Sequence, residues 1–158
     1  MDEHVRHFVV LLISAIIVAL CVILHYEALR FLGRAVGMHV HKRSGVLLVM
    51  FGLLIAHILE IWIFAFGFMI IQRSAEYGHI RGIENGDIID YIYYSSVVYT
   101  TVGFGDLVPV GAIRMLTAAE GLVGLAMITW SASFTFIAMQ RFWPYPLAEL
   151  HKKPDNEA

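Results

Sequence analysis

The sequence predicts an all-α membrane protein: three transmembrane helices and a fourth, shorter helix that enters and leaves the membrane on one side. Three observations predict it. The mean hydropathy is +0.72, and 59% of the 158 residues are hydrophobic against 15% charged, whereas soluble domains carry roughly 25% charged residues. Apolar runs at about Phe8–Tyr26, Val46–Ile71 and Ala112–Arg141 are each long enough to cross roughly 30 Å of hydrocarbon as helices. Between the second and third lies Ile88–Val110, apolar and aromatic but too short to cross and return as helices. One domain is expected at this length. The formal net charge of −2 gives no sign of a nucleic-acid partner.

The first run, Phe8–Tyr26, is expected to stay in the chain as a span. Met1–His7 contains Asp2 and Glu3 with Arg6 as its one fixed positive charge, and no Ala-x-Ala site closes the run, so a signal peptide fits poorly. The single cysteine, Cys21, lies inside this run and reads as a buried small apolar side chain. No ladder of arginines at every third residue marks the run as a voltage sensor.

Glu27–Gly45 is expected to be a short interfacial connection, with Ala28, Leu29, Phe31, Leu32, Val36 and Met38 alternating with arginines. Arg30 and Arg34 have two readings. They could bind anionic lipid, or they could be ordinary positive flanks of a span. The second run, Val46–Ile71, follows.

Ile88–Val110 is expected to hold a re-entrant helix at Ile89–Thr100, then an extended segment, then an exit strand closed by Pro109. Non-helical backbone at membrane depth is tolerated only inside protein or beside a water-filled cavity. The extended segment, Thr100-Thr101-Val102-Gly103-Phe104-Gly105-Asp106, suits a cavity that carries ions. Glycines at alternate positions relax the steric limit on φ, so adjacent carbonyls can face one way. Carbonyls so arranged can replace the water shell of potassium, as in TVGYG filters. This chain differs from that pattern by one oxygen, with Phe104 in place of tyrosine.

The third run, Ala112–Arg141, is about 45 Å long at 1.5 Å per residue, which predicts tilt or projection into the cytoplasm. Trp143-Pro144-Tyr145-Pro146 is expected to end it at the interface, and the remaining residues to be a short tail. Loop charge orients the whole. Glu27–Gly45 has Arg30, Arg34, Lys42 and Arg43 against Glu27, a net +3, whereas Gln72–Asp90 has Arg73 and Arg81 against Glu76, Glu84, Asp87 and Asp90, a net −2. The positive-inside rule then puts the N-terminus outside and the C-terminus in the cytoplasm. A filter whose Asp106 end faces outward agrees.

The order outer helix, re-entrant helix, filter, inner helix resembles the pore unit of tetrameric potassium channels. The resemblance covers about Val46–Arg141, and its specific part is Tyr93–Pro109. It divides the chain into residues 1–45, an extra N-terminal span with a cytoplasmic linker; 46–143, a pore domain; and 144–158, a cytoplasmic tail. It implies a homotetramer around a central pore, because one chain supplies a quarter of a filter. It also implies a potassium-selective channel in a bacterial plasma membrane, with potassium as the transported ion and no organic cofactor. By the same resemblance Thr101, Val102, Gly103, Phe104 and Gly105 line the filter. The carbonyls of Thr101 to Phe104 and the Thr101 hydroxyl then bind potassium. Thr100 stands behind the filter and Asp106 at its outer mouth. Tyr93 and Tyr94 fall where voltage-gated relatives carry bracing tryptophans. Val97 replaces a glutamate that pairs with the outer aspartate in some bacterial channels, which leaves Tyr93 or Tyr94 to donate to Asp106.

The inner helix is similar to that of prokaryotic inward rectifiers. That likeness implies a hinge at Gly124 and a narrowing at Phe136, twelve positions on. Gly124, Ile128, Ala132 and Phe136 share a stripe at i, i+4 spacing. The plainer alternatives are that Gly124 permits close helix packing and that Phe136 faces lipid. Inward rectifiers carry a large cytoplasmic β-domain after this helix, and here seventeen residues follow Arg141, so none is expected.

Ionisable groups inside spans are costly and usually paired or functional. His57 and Glu60 lie three residues apart on one helix face, and Glu120 lies in the third run. They are expected to form an interhelical network that braces the pore. Proton sensing through His57 is a second reading, and a metal site a third, weakened by there being only one His-x-x-Glu pair. Trp62, Trp130 and Trp143 read as packing or interfacial anchors. A weakly selective cation channel, a subunit of an ion transporter and a non-conducting regulatory membrane subunit are the competing functions. No nucleophile–base set, zinc cluster or phosphate loop points to an enzyme.

Overall fold

The computed structural model describes residues 2–39, 42–83 and 86–142. Trp143 and the expected tail, residues 144–158, lie outside them. Four helices carry the fold: α1 (Glu3–His39), α2 (Lys42–Gln72), α3 (Ile88–Tyr99) and α4 (Arg114–Phe142). Three of them contain stretches long and apolar enough to cross a membrane: Glu3–Val36, Ser44–Gln72 and Arg114–Arg141. The protein is an all-α membrane protein.

The first helix corrects an expectation. It does not end near Tyr26 but runs as one element of 37 residues to His39, about 55 Å at 1.5 Å per residue. The residues read as an interfacial connection are its second half. Leu29, Leu32 and Val36 are buried in a small cluster with Val49 and Leu53 of α2 and Ala138 of α4. Their spacing of three and four residues is a helix stripe packed on protein. Arg30 hydrogen-bonds Glu27 at 2.7 Å and lies over the Tyr26 ring, 5.6 Å from its centroid. These local contacts carry the helix past the end of its apolar run.

The short helix α3 is wedged among the others. Tyr91, Tyr94 and Tyr99 are buried with Cys21 of α1, Phe64 and Phe68 of α2, and Leu116, Val123 and Met127 of α4. Phe68 meets Tyr94 edge to face, with centroids 4.9 Å apart. Large apolar side chains such as Phe31, Phe51 and Leu122, 64–71% exposed in the single chain, point out of the bundle, where lipid or other subunits would meet them.

Two strands flank α3. β1 (His79–Arg81) pairs antiparallel with β2 (Val108–Val110), with Ile80 opposite Pro109. Pro109 therefore does not close the exit strand but occupies its centre, tolerated on an edge because it need donate no hydrogen bond. Gln72 Oε1 accepts from the Ile80 N–H at 2.9 Å, and the Tyr77 carbonyl accepts from the Ile113 N–H at 2.9 Å. The extended segment after α3 is thus tied at its far end to the loop that follows α2.

Candidate functional site

The backbone from Thr100 to Asp106 leaves α3 in a repeating conformation. Thr101, Gly103 and Gly105 have φ of 60°, 58° and 82°. Every second residue is therefore in the left-handed region, the alternation that lets successive carbonyls face one side. Glycine adopts it freely. Thr101, the one non-glycine residue with positive φ among those described, does so at a cost of about 1–2 kcal/mol. It is held there by its N–H, which donates to the Val98 carbonyl at 2.9 Å. The N–H groups of Val102 and Gly103 both donate to the Val97 carbonyl, at 3.1 and 3.3 Å. The Thr100 hydroxyl turns back to the Ser96 carbonyl at 2.7 Å. All residues from Thr100 to Asp106 are exposed in the single chain, Phe104 at 69%.

Tyr93 and Tyr94 do different things. The Tyr93 hydroxyl donates to Asp106 Oδ2 at 2.8 Å, which tethers the far end of the segment to α3. The Tyr94 hydroxyl bonds instead to the Thr117 hydroxyl on α4 at 2.8 Å. Successive residues on a helix point about 100° apart, so two adjacent tyrosines cannot both reach Asp106.

The ionisable groups form two clusters rather than the single expected network. Glu120 is fully buried and receives the Ser95 hydroxyl of α3 at 2.5 Å. Glu60 is also fully buried and is approached by His25 Nδ1 at 2.9 Å, by His57 Nδ1 at 3.2 Å and by the Tyr99 hydroxyl, which donates to it. The Ser131 hydroxyl of α4 lies 3.3 Å from His25 Nε2 and 3.0 Å from His57 Nε2. The division follows from α3 itself: Ser95 and Tyr99 are one turn apart, so the two carboxylates grip it one turn apart along its length.

His25, Ser131 and Tyr99 were not singled out in the sequence. His25 carried a usable signal, an ionisable side chain in an apolar span, as His57 did. Ser131 and Tyr99 carried none, since serine and tyrosine are ordinary in such helices. His25 also shows what α1 contributes: it delivers a buried imidazole to the end of α3. Of the tryptophans, Trp130 lies with its ring 5.4 Å from His25, and Trp62 meets Phe66 edge to face.

Gly124 is buried against the last turn of α3. A Cβ there would stand 2.1 Å from the Tyr99 carbonyl oxygen. This close approach gives the packing reading of Gly124 a geometric basis. Further along the same stripe Ile128, Ala132 and Phe136 are exposed in the single chain, Phe136 at 58%.

A family model described as ion channel matches residues 46–141. No curated protein and no solved structure matches the chain. The matched residues run through α2, α3, the Thr101–Gly105 segment and α4, and leave out α1.

Proposed function

The chain belongs to the ion channel family, and we propose that it conducts potassium selectively and passively as a homotetramer. The observation that carries this reading is the alternating left-handed backbone at Thr101, Gly103 and Gly105, in an exposed TVGFG segment that follows a helix packed among the others. Carbonyls of Thr101, Val102, Gly103 and Phe104, with the Thr101 hydroxyl, would replace the hydration shell of potassium. Four copies are needed because each chain brings one such segment.

Rigidity of that ring would come from behind. Phe104 has no hydroxyl to anchor it, so the anchoring falls to the two ends of the segment. Tyr93 holds Asp106, and the Glu60 cluster holds Tyr99, two residues before Thr101. Ions would pass from site to site down their gradient, with Gly124 and Phe136 as candidate hinge and gate on the inner helix. The charge pattern of the loops supports an N-terminus outside and a C-terminus in the cytoplasm of a bacterial plasma membrane. Arg34, exposed in α1, is better placed to meet anionic lipid than Arg30, which is paired with Glu27.

The test is ion flux through the purified protein in liposomes under potassium and then sodium gradients, with barium as blocker. Barium-sensitive flux that strongly favours potassium is the expected result. Equal flux of both ions would replace this reading with a weakly selective cation channel.

A further inference from the structure

The Glu60 cluster has the donors and the geometry of a metal centre. We propose that His25, His57 and Glu60 bind one divalent transition metal ion of the zinc class per chain, with the Tyr99 hydroxyl oxygen as the fourth donor.

One donor atom from each of His25, His57 and Glu60 lies within 4.8 Å of the others. The two imidazoles converge on the carboxylate through the same ring atom, Nδ1, at 2.9 and 3.2 Å. The Tyr99 hydroxyl sits 2.9 Å from His57 Nδ1. In a tetrahedral site with bonds of about 2.0–2.1 Å, neighbouring ligands stand roughly 3.3–3.4 Å apart. The two histidine–Glu60 separations and the Tyr99–His57 separation need to open by only a few tenths of an ångström, and the closer Tyr99–Glu60 contact by more. Two imidazoles with a carboxylate are a donor set suited to zinc. The sequence supplied only the His-x-x-Glu pair on α2, and the third ligand comes from α1, outside the residues that the family model matches.

Proton counting allows a cation here without requiring one: with the His25 proton on Nδ1 and the His57 proton on Nε2, Ser131 can donate to His25 Nε2 and Tyr99 to His57 Nδ1, and every ring nitrogen is paired. Each neutral imidazole has one N–H, and a serine hydroxyl has one proton and two acceptor lone pairs. If both Nδ1 atoms carry the proton and donate toward Glu60, both Nε2 atoms need a donor, and Ser131 can serve only one. A buried acceptor is then left over. If both Nε2 atoms carry the proton, both donate to the lone pairs of Ser131, at 3.3 and 3.0 Å. Both Nδ1 lone pairs then face the carboxylate, an arrangement that a cation between them would satisfy. This second tautomer is the metal-binding one. The non-ligating nitrogen of each histidine is held by a hydroxyl, as the outer partners of metal-bound histidines usually hold it. Switching tautomer leaves each imidazole neutral, so binding expels no imidazole proton.

Access agrees. His57, Tyr99 and Ser131 line a cavity of about 430 Å³ between α2 and α4, which offers a route to the site. A metal there would clip α1 and α2 to the last turn of α3.

A hydrogen-bonded brace without metal also pairs these groups, and the experiment separates the two. The full chain, purified in detergent and stripped with chelator, is titrated with cobalt(II) and then zinc. The expected result is one cobalt per chain, with visible absorption bands of four-coordinate geometry that zinc abolishes. His25→Gln and Glu60→Gln should each weaken binding at least 10-fold, and Ser131→Ala roughly 10–100-fold through the lost outer partner. Binding that these variants leave unchanged would assign the metal to exposed histidines such as His4 and overturn the proposal. If a ligand variant fails to assemble, the unaltered chain still decides: no bound cobalt or zinc means a hydrogen-bonded brace and no metal site. The readout is binding rather than flux, so it is independent of potassium selectivity.

Discussion

Gly124 of α4 and Tyr99 of α3 meet backbone to backbone, so closely that a Cβ on Gly124 would stand 2.1 Å from the Tyr99 carbonyl oxygen and 2.8 Å from its carbonyl carbon. Tyr99 is also the residue whose hydroxyl reaches Glu60. One residue at the end of α3 is therefore held by α2 through its side chain and by α4 through its backbone, two positions before Thr101.

Gly124→Ala should be destabilising because the clash is with backbone, which cannot rotate away as a side chain would. Overpacking of this kind costs about 1–3 kcal/mol. Gly121→Ala is the control: its Cβ would come no closer than 3.9 Å to the Val98 carbonyl oxygen, an ordinary contact. Alanine there should be neutral or stabilising by up to about 1 kcal/mol from helix propensity. Thermal unfolding of the two variants in detergent measures the contrast, and equal stability would show that the two helices separate readily.

Gly103→Asp should abolish flux and leave the proposed tetramer intact. Gly103 has φ 58°, with nothing within 4 Å of a built Cβ. The substitution therefore strains the backbone and places a carboxylate beside the proposed ion path without disturbing the packed core. Size-exclusion chromatography with liposome flux tests both halves. Unchanged flux would remove the filter assignment.

Phe136→Ala should raise resting flux if four Phe136 rings close the pore by dewetting. The ring is 58% exposed in the single chain, so truncation should change stability little. Unchanged flux would move the gate elsewhere and leave Phe136 facing lipid.

Tyr99→Phe removes a hydroxyl that donates to buried Glu60 and lies 2.9 Å from His57 Nδ1. The loss should destabilise the protein by about 1–3 kcal/mol, because a buried carboxylate loses a donor. Since Glu60 and Tyr99 belong to one network, the double variant with Glu60→Gln should cost less than the sum of the singles. Additive losses would mean that the two side chains act independently.

Much of the fold was legible residue by residue. The apolar runs located all three long helices, because lipid demands apolar side chains along a whole span. The glycine spacing at 103 and 105 announced the left-handed alternation, because φ preference is a property of the residue itself. The length of α1 was not legible. Arg30 and Arg34 resembled the polar end of a span, and the Glu27–Arg30 pair and the packing of Leu29, Leu32 and Val36 extend the helix through them.

The sequence by itself determined which stretches are apolar enough to cross a membrane and where the backbone can line up carbonyls. Both depend on local chemistry. Only the tertiary structure decided that Tyr93 rather than Tyr94 reaches Asp106, that Glu120 pairs with Ser95 while Glu60 gathers His25, His57 and Tyr99, and that Gly124 lies against the Tyr99 backbone. In water, a helix shows its buried face by the contrast between apolar and polar stripes. In a membrane the outward face is apolar too, so the contrast fades. Which helix faces which polar group is then set by packing alone.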